Sequence, residues 1–183
     1  MYAYQNANPL HRLMRQSGAW PGVRQFYVHT LHHLDRITFR LTRGRATFVS
    51  WITGMPIVFL TTTGRRSGMP RTLPLVAIPD GDLLVVIASN YGQRHHPAWY
   101  HNLKANPRVT ATLDGVAREM TARELEGEER DRWYERGIEI YPGWISYRRR
   151  TAAHRRIPVI ELRPTSEPGA AGRARAGGGG VRP

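Results

Sequence analysis

Cysteine is missing from the chain altogether, which removes thiolate catalysis, disulfides, iron–sulfur clusters and Cys-ligated zinc from consideration. Acid is scarce as well. Asp+Glu number 14 against Lys+Arg 27, for a formal net charge of +13. That balance favours an anionic partner, and nucleic acid, acidic lipid headgroups and a polyanionic cofactor all satisfy it. No run approaches the ~20 apolar residues of a membrane span. The opening MYAYQNANPLHRL lacks the apolar core of a signal peptide, so a cytoplasmic location is expected. The G-x-x-x-x-G-K-[ST] loop is absent, and so is a G-x-G-x-x-G following a strand. His29 and His33 stand at i and i+4, but H-E-x-x-H does not occur and no ligand shell is complete, so no metal is expected. Ser89 lies in no G-x-S-x-G elbow, and Asp80 and Asp82 fall on a hairpin turn far from it, which leaves a Ser–His–Asp hydrolase unsupported.

What the chain does have is FLTTTGRRSGMPRTLPL, residues 59–75. Residues 60–63 are extended in character, Gly64 and Gly68 permit a tight backbone, and an apolar run resumes over 71–78. Arg65, Arg66 and Arg71 therefore converge on one bend. Guanidinium forks beside backbone N–H groups suit a phosphate or polycarboxylate. The competing reading is a solvated surface turn that happens to be basic.

Residues 23–41 carry apolar side chains at helical spacing with Arg and His opposite, an amphipathic basic helix that either lids its own domain or lies on an acidic membrane surface. Strands are predicted over 57–62, 72–78 and 83–88, the last two joined at Asp80-Gly81. A short helix over 97–104 follows, ended by Asn106-Pro107, with His95-His96 placed to cap it or to touch an anion. A hairpin over 109–113 and 116–123 turns at Asp114-Gly115. A helix then runs from the acidic cluster at Glu126 to Tyr141, and Pro142-Gly143 breaks it before further helix from Trp144 and a last strand over 157–162. The pattern predicts a mainly β (α+β) fold, about six antiparallel strands curled into a barrel with flanking helices. Domain limits are expected at 1–56, 57–164 and a disordered Gly/Arg/Pro-rich tail over 165–183.

Trp99 and Tyr100 on the short helix, with Tyr141, Trp144 and Tyr147 spaced by three, offer either a flat slot for a planar ring or ordinary core packing. The tyrosine hydroxyls beside Pro142-Gly143 point to ligand contact or proton donation.

Five segments, TTTGRRSGMPR (61–71), VVIAS (85–89), PAWYHNLKANP (97–107), TAR (121–123) and YPGWISY (141–147), follow one another without an evident gap. Over 57–164 the chain thereby resembles the deazaflavin-dependent nitroreductase family of actinobacteria, small split β-barrel proteins of the FMN-binding split-barrel kind that use coenzyme F420. The resemblance implies that Arg65, Arg66, Ser67, Gly68, Met69, Pro70 and Arg71 hold the cofactor's phosphate and oligoglutamate tail. It places the deazaflavin ring by Ile87, Ala88, Ser89 and Asn90 and by Ala98, Trp99, Tyr100, His101 and Asn102, with Tyr141, Trp144 and Tyr147 over the substrate. The implied reaction is hydride transfer from reduced F420 to a quinone, nitro compound or similar planar acceptor, with Ser89, Tyr141 or Tyr147 donating a hydrogen bond. FMN is the second choice of cofactor. Leu73, Asn90, Tyr91 and Trp144 depart from the family's frequent Asn, Lys, Gly and Tyr. Two other functions compete: a non-catalytic split barrel holding a flavin, lipid or tetrapyrrole, and a basic nucleic-acid-binding domain, which the missing helix-turn-helix and aromatic–basic interleaving disfavour. The 23–41 helix would bring the site to the inner face of the plasma membrane, and monomer and homodimer both stay open.

Overall fold

The computed structural model describes residues 54–165, so the predicted 23–41 helix, most of the 1–56 segment and nearly all of the 165–183 tail lie outside the described residues. Two Asp-Gly pairs set the register of the sheet. Strands β4 (Arg108–Leu113) and β5 (Val116–Glu124) oppose Leu113 to Val116 across Asp114-Gly115, whose φ values of 51° and 81° give the primed turn that matches strand twist. Strands β2 (Pro70–Asp80) and β3 (Leu83–Ile87) pair Asp80 with Leu83. The loop is therefore Gly81-Asp82, one residue later than expected, because only Gly81 takes the positive φ (58°) that a glycine-first hairpin needs.

With β1 (Ile57–Thr63) and β6 (Val159–Pro164) the strands close a barrel in the order β1-β2-β3-β6-β5-β4, antiparallel at every pairing. The last strand starts two residues later than predicted. Pro158 has no N–H to give a ladder, and the Ile157 carbonyl accepts from Arg130 at 2.7 Å instead. At the other extreme β2 begins two residues early. It pairs with β3 only over 77–80, so its first half lies against β1 alone among the described residues and tolerates Pro70 and Pro74.

β3 explains why LLVVI shows no alternation. Leu84 and Val86 point into the barrel with Val58, Leu60, Met120 and Leu162, whereas Val85 and Ile87 point outward under α2 (Gly127–Ile140) and α3 (Gly143–Thr151). Both faces are buried, at roughly 1.5–3 kcal/mol per large apolar side chain. Tyr134 of α2 is fully buried there, with its hydroxyl donating to the Trp144 carbonyl at 2.9 Å. The short α1 (Ala98–Ala105) inserts Trp99 and Leu103 into the barrel core.

The register separates the two ends of the barrel by chemistry. One end carries the tight loops 81–82 and 114–115. The other gathers the β1–β2 turn, the exit of β3, α1, the end of β5 and the start of β6.

Candidate functional site

The β1–β2 turn is closed on itself. Gly64 N donates to the Met69 carbonyl at 2.8 Å, Gly68 N and Ser67 N donate to the Gly64 carbonyl at 2.7 and 3.2 Å, and Met69 N donates to Ser67 Oγ at 3.3 Å. A Cβ on Gly64 would stand 2.8 Å from Ser67 Oγ and 3.0 Å from the Met69 carbonyl oxygen, and Gly68 sits at φ +66°, so both glycines answer a steric need. Arg65 N donates to Asn102 Oδ1 at 3.1 Å, and the buried Asn102 in turn donates from Nδ2 to Thr62 Oγ1 at 3.0 Å. Asn102 thus bolts α1 to the turn. These bonds correct one expectation: the amides of Gly64, Arg65, Ser67, Gly68 and Met69 are engaged within the protein, so an anion is left mainly the guanidinium groups, with the Arg66 amide the exception. The side chains of Arg65, Arg66 and Arg71 are exposed, and none has a carboxylate partner among the described residues.

At the exit of β3 the chain makes a left-handed turn. Asn90, Tyr91 and Gly92 have φ of 47°, 54° and 72°. For the two non-glycine residues this costs roughly 1–2 kcal/mol each. Several bonds hold it: Gly92 N to the Ser89 carbonyl (2.9 Å), Gln93 N to the Asn90 carbonyl (3.0 Å), Asn90 Nδ2 to the His95 carbonyl (3.0 Å) and Arg150 Nη2 to the Tyr91 carbonyl (3.1 Å). Arg155 grips the flanks, donating to the carbonyls of Ala88, Ser89 and Gln93. The Ser89 hydroxyl itself has no protein partner among the described residues and is half-buried. Sequence reasoning passed over Arg150 and Arg155. The only available signal was their excess over nearby acids, shared with many arginines in this chain.

On α1, Ala98 is exposed and Trp99 is inside the barrel. The Tyr100 hydroxyl donates to Glu124 at 3.0 Å, and burial followed by that carboxylate pushes it up to about 12. Lys104 pairs with the same carboxylate at 3.1 Å. This group borders a concavity of about 210 Å³ floored by Leu103, Ala122 and Ile160. His96 lies tilted against Tyr100 with ring centroids 4.8 Å apart, and His101 meets both rings edge-on. The expected capping of α1 by His95-His96 does not occur: Pro97 has no side-chain cap, and His96 Nδ1 accepts from Arg155 Nη1 at 3.2 Å.

The aromatic set divides. Trp144 and Tyr147 are only 4% and 5% exposed, and Trp144 packs so tightly on α2 that a Cβ on Gly137 would lie 2.7 Å from its ring. Tyr141 is half-buried. Its ring lies against Gly143, is edge-on to Trp144 at 5.7 Å, and its hydroxyl is 3.1 Å from that of Tyr147. Burial, then Tyr147, holds the Tyr141 hydroxyl well above the usual tyrosine range, so it stays protonated and can donate. Tyr147 meets Tyr91 edge-on at 6.5 Å, which joins α3 to the left-handed turn.

One end of the barrel therefore carries a continuous path of contacts. It runs from the basic turn through Asn102 and α1 to His96, Arg155, the 88–93 segment and the tyrosine pair. A larger, open concavity of about 630 Å³ lies elsewhere, on the outer face of α2, lined by Glu128, Asp131, Arg132, Glu135, Arg136 and Glu139. Four acids stand there beside two arginines, so it suits an anion less well than the turn, where no carboxylate pairs with Arg65, Arg66 or Arg71 among the described residues.

A family model for F420H(2)-dependent quinone reductase matches residues 34–164. An F420H(2)-dependent quinone reductase of Mycobacterium tuberculosis is 36% identical over 112 residues, covering 58% of this chain and 72% of that protein. The solved structure of an F420-H2 dependent reductase aligns at 44% identity with a TM-score of 0.53, over 58% of this chain and 93% of the other. Another solved structure, a domain-swapped dimer, aligns at 38% identity with a TM-score of 0.57, over 69% of this chain and 94% of the other.

Proposed function

Because the chain belongs to the F420H(2)-dependent quinone reductase family, and so is an oxidoreductase that works with coenzyme F420 on quinones, we propose that the coenzyme binds at the barrel end bearing the β1–β2 turn. One observation carries the placement: Arg65, Arg66 and Arg71 stand exposed and unneutralised on a closed turn that Asn102 joins to α1. The donor set fits a coenzyme with a phosphate and an oligoglutamate tail, because a guanidinium fork matches such oxygens two at a time.

When bound, the reduced coenzyme supplies a hydride to the acceptor. The chain's own residues bind and orient. The three arginines take the anionic tail, and Ser67, Gly68, Met69 and Pro70 shape the turn that presents them. Ser89 and Asn90, with Ala98, Tyr100 and His101 on α1, border the ring, while the buried Ile87 and Ala88 seat the end of β3 and the buried Trp99 and Asn102 seat α1. At the acceptor side the free Ser89 hydroxyl and the protonated Tyr141 hydroxyl donate to the oxygen on which negative charge develops. Tyr147 supports Tyr141 through their shared hydrogen bond, and Trp144 supports it edge-on. The proton that completes reduction comes from solvent. The same donors suit a nitro group, which makes nitro compounds the second acceptor class.

No helix among the described residues is long and apolar enough to cross a membrane. The basic stretch 23–41 supports peripheral contact with an anionic surface, where quinones are at hand.

Purified protein mixed with reduced F420 and menadione should restore the absorbance of oxidised coenzyme. A trace no faster than the protein-free control would reject the reading.

A further inference from the structure

Arg155 is a partly buried cation at the end of the barrel where the coenzyme is placed, and it has no carboxylate partner among the described residues. Its hydrogen bonds all go to acceptors without formal charge. Nε donates to the Gln93 carbonyl at 3.0 Å, Nη2 to the Ser89 carbonyl at 2.7 Å, and Nη1 to the Ala88 carbonyl at 3.3 Å and to His96 Nδ1 at 3.2 Å. Withdrawing a charge from water without a counter-ion is unfavourable, and burial accordingly pulls its pKa down. A planar fork is the side chain that can meet carbonyls on both sides of a turn at once.

The segment it grips is the left-handed turn at Asn90, Tyr91 and Gly92. Backbone held in such a region persists only where its surroundings over-determine it, and such strain gathers at working sites. Arg155 supplies bonds on both flanks, and Arg150 adds one at Tyr91. The hydroxyl of Ser89 hangs from the same stretch of chain. An arginine only donates, so Nδ1 of His96 must accept and the proton of the neutral ring lies on Nε2. The charged and titratable groups facing His96 are Arg155, His101, Tyr100 and Glu124. Burial, then Arg155 and His101, disfavours its protonation, and Glu124 opposes them.

We propose that Arg155 is a positioning residue for quinone reduction, holding residues 88–93 and the Ser89 hydroxyl in reactive register and fixing His96 as the neutral Nε2–H tautomer. This rests on the coenzyme site assigned above.

The test compares Arg155→Met and Arg155→Lys with wild type. In coenzyme-free protein, hydrogen exchange at the Gly92 and Gln93 amides should quicken by about tenfold or more in Arg155→Met while Val85 and Val86 in β3 keep their protection. Nitrogen NMR should find His96 as the Nε2–H tautomer in wild type and a mixture in Arg155→Met. With reduced F420 and menadione, kcat should fall by about ten- to a hundredfold, as for a misplaced donor. The KM for coenzyme should stay within about threefold, because the arginines of the turn are untouched. Arg155→Lys should lie between, keeping the charge without the fork. If Arg155→Met does not fold, the same kcat-against-KM comparison is read from Arg155→Lys. A lowered melting temperature with wild-type kcat and unchanged exchange at Gly92 and Gln93 overturns the proposal. If wild type does not oxidise reduced F420, the functional reading falls, while exchange and tautomer still decide whether Arg155 holds the turn.

Discussion

The β1–β2 turn and the β5–β6 face both cluster arginines, and they use them in opposite ways. At the turn, Arg65, Arg66 and Arg71 reach no carboxylate among the described residues. On the other face, Arg123 bonds Glu129 at 2.8 Å and Glu161 at 3.1 Å, and Arg163 bonds the same Glu161, whose side chain is only 3% exposed. Burial pushes the Glu161 carboxyl up, but the hydrogen bonds from Arg163 and Arg123 outweigh it and hold the group below the usual glutamate range. One cluster keeps its charge for a ligand, and the other uses its charge to hold two strands and a helix together. A formal charge of +13 does not distinguish them. The placement of carboxylates does.

The sharpest way to break this contrast is to remove charge from the turn. Arg65→Ala with Arg66→Ala should weaken coenzyme binding by about a hundredfold or more, since charge-assisted bonds contribute ~1.5–3 kcal/mol each. Melting temperature should hardly move, because the lost side chains touch solvent. Fluorescence titration of F420 reads the first quantity and calorimetry the second. Equal affinity would mean that the anionic tail lies elsewhere.

Glu161→Ala should do the reverse. It leaves buried space and two guanidiniums without their shared acceptor, at about 2–3 kcal/mol of stability, less than a fully buried pair because both arginines are half in water. Coenzyme affinity should not change. The pH dependence carries a sign that can be checked. A carboxyl whose folded pKa is depressed contributes stability that is complete above the ordinary glutamate value of about 4.3 and is lost as pH falls through the folded value. Glu161→Gln should therefore flatten the acid limb of the melting-temperature profile below that pH, and an unchanged limb would assign acid sensitivity to other groups.

Asn102 joins the two kinds of effect. It is buried, fastens the turn to α1, and loses two hydrogen bonds on substitution. Asn102→Ala should cost about 1–2 kcal/mol of stability and weaken coenzyme binding several-fold, since the turn that presents Arg65 loses its brace. A variant that moved only one of these would show that turn and helix are not coupled through this side chain.

Much of this architecture was legible in local sequence. The Asp-Gly pairs, the prolines around α1, the Pro142-Gly143 break and the apolar strands place every described strand and α-helix to within a few residues, because turns and burial are set by near neighbours, whereas the turn at Asn90–Gly92 was not foreseen. The arginine bend was legible too, from its glycines. Tyr91 shows a subtler trace: the family resemblance makes glycine the expected residue there, and the structure gives Tyr91 φ 54°. What the sequence did not disclose were partnerships across long separations. Asn102 with Arg65, Arg155 with Ser89 and Glu161 with Arg123 are 37, 66 and 38 residues apart. Nothing in the composition shows which arginine finds a carboxylate, which finds a carbonyl and which stays free. The two tryptophans were ambiguous for a related reason, since spacing alone does not tell a ring that lines a slot from one that fills a core.

The smallest expected effect is the most exacting for the comparison. Arg118 and Asp82 form an ion pair at 3.0 Å between β5 and the β2–β3 loop, with side chains 54% and 64% exposed. By distance alone it resembles Arg123 with Glu161. Its surroundings differ, because neither partner is desolvated, each loses rotamer freedom to make the contact, and salt screens what attraction is left. A double-mutant cycle through Arg118→Ala and Asp82→Ala should give a coupling below about 0.5 kcal/mol that vanishes at high salt. The corresponding cycle through Arg123 and Glu161 should give clearly more and keep most of it. If the exposed pair coupled as strongly as the buried one, burial would not be what separates a structural arginine from an idle one, and the reading of the turn as a waiting anion site would lose its contrast.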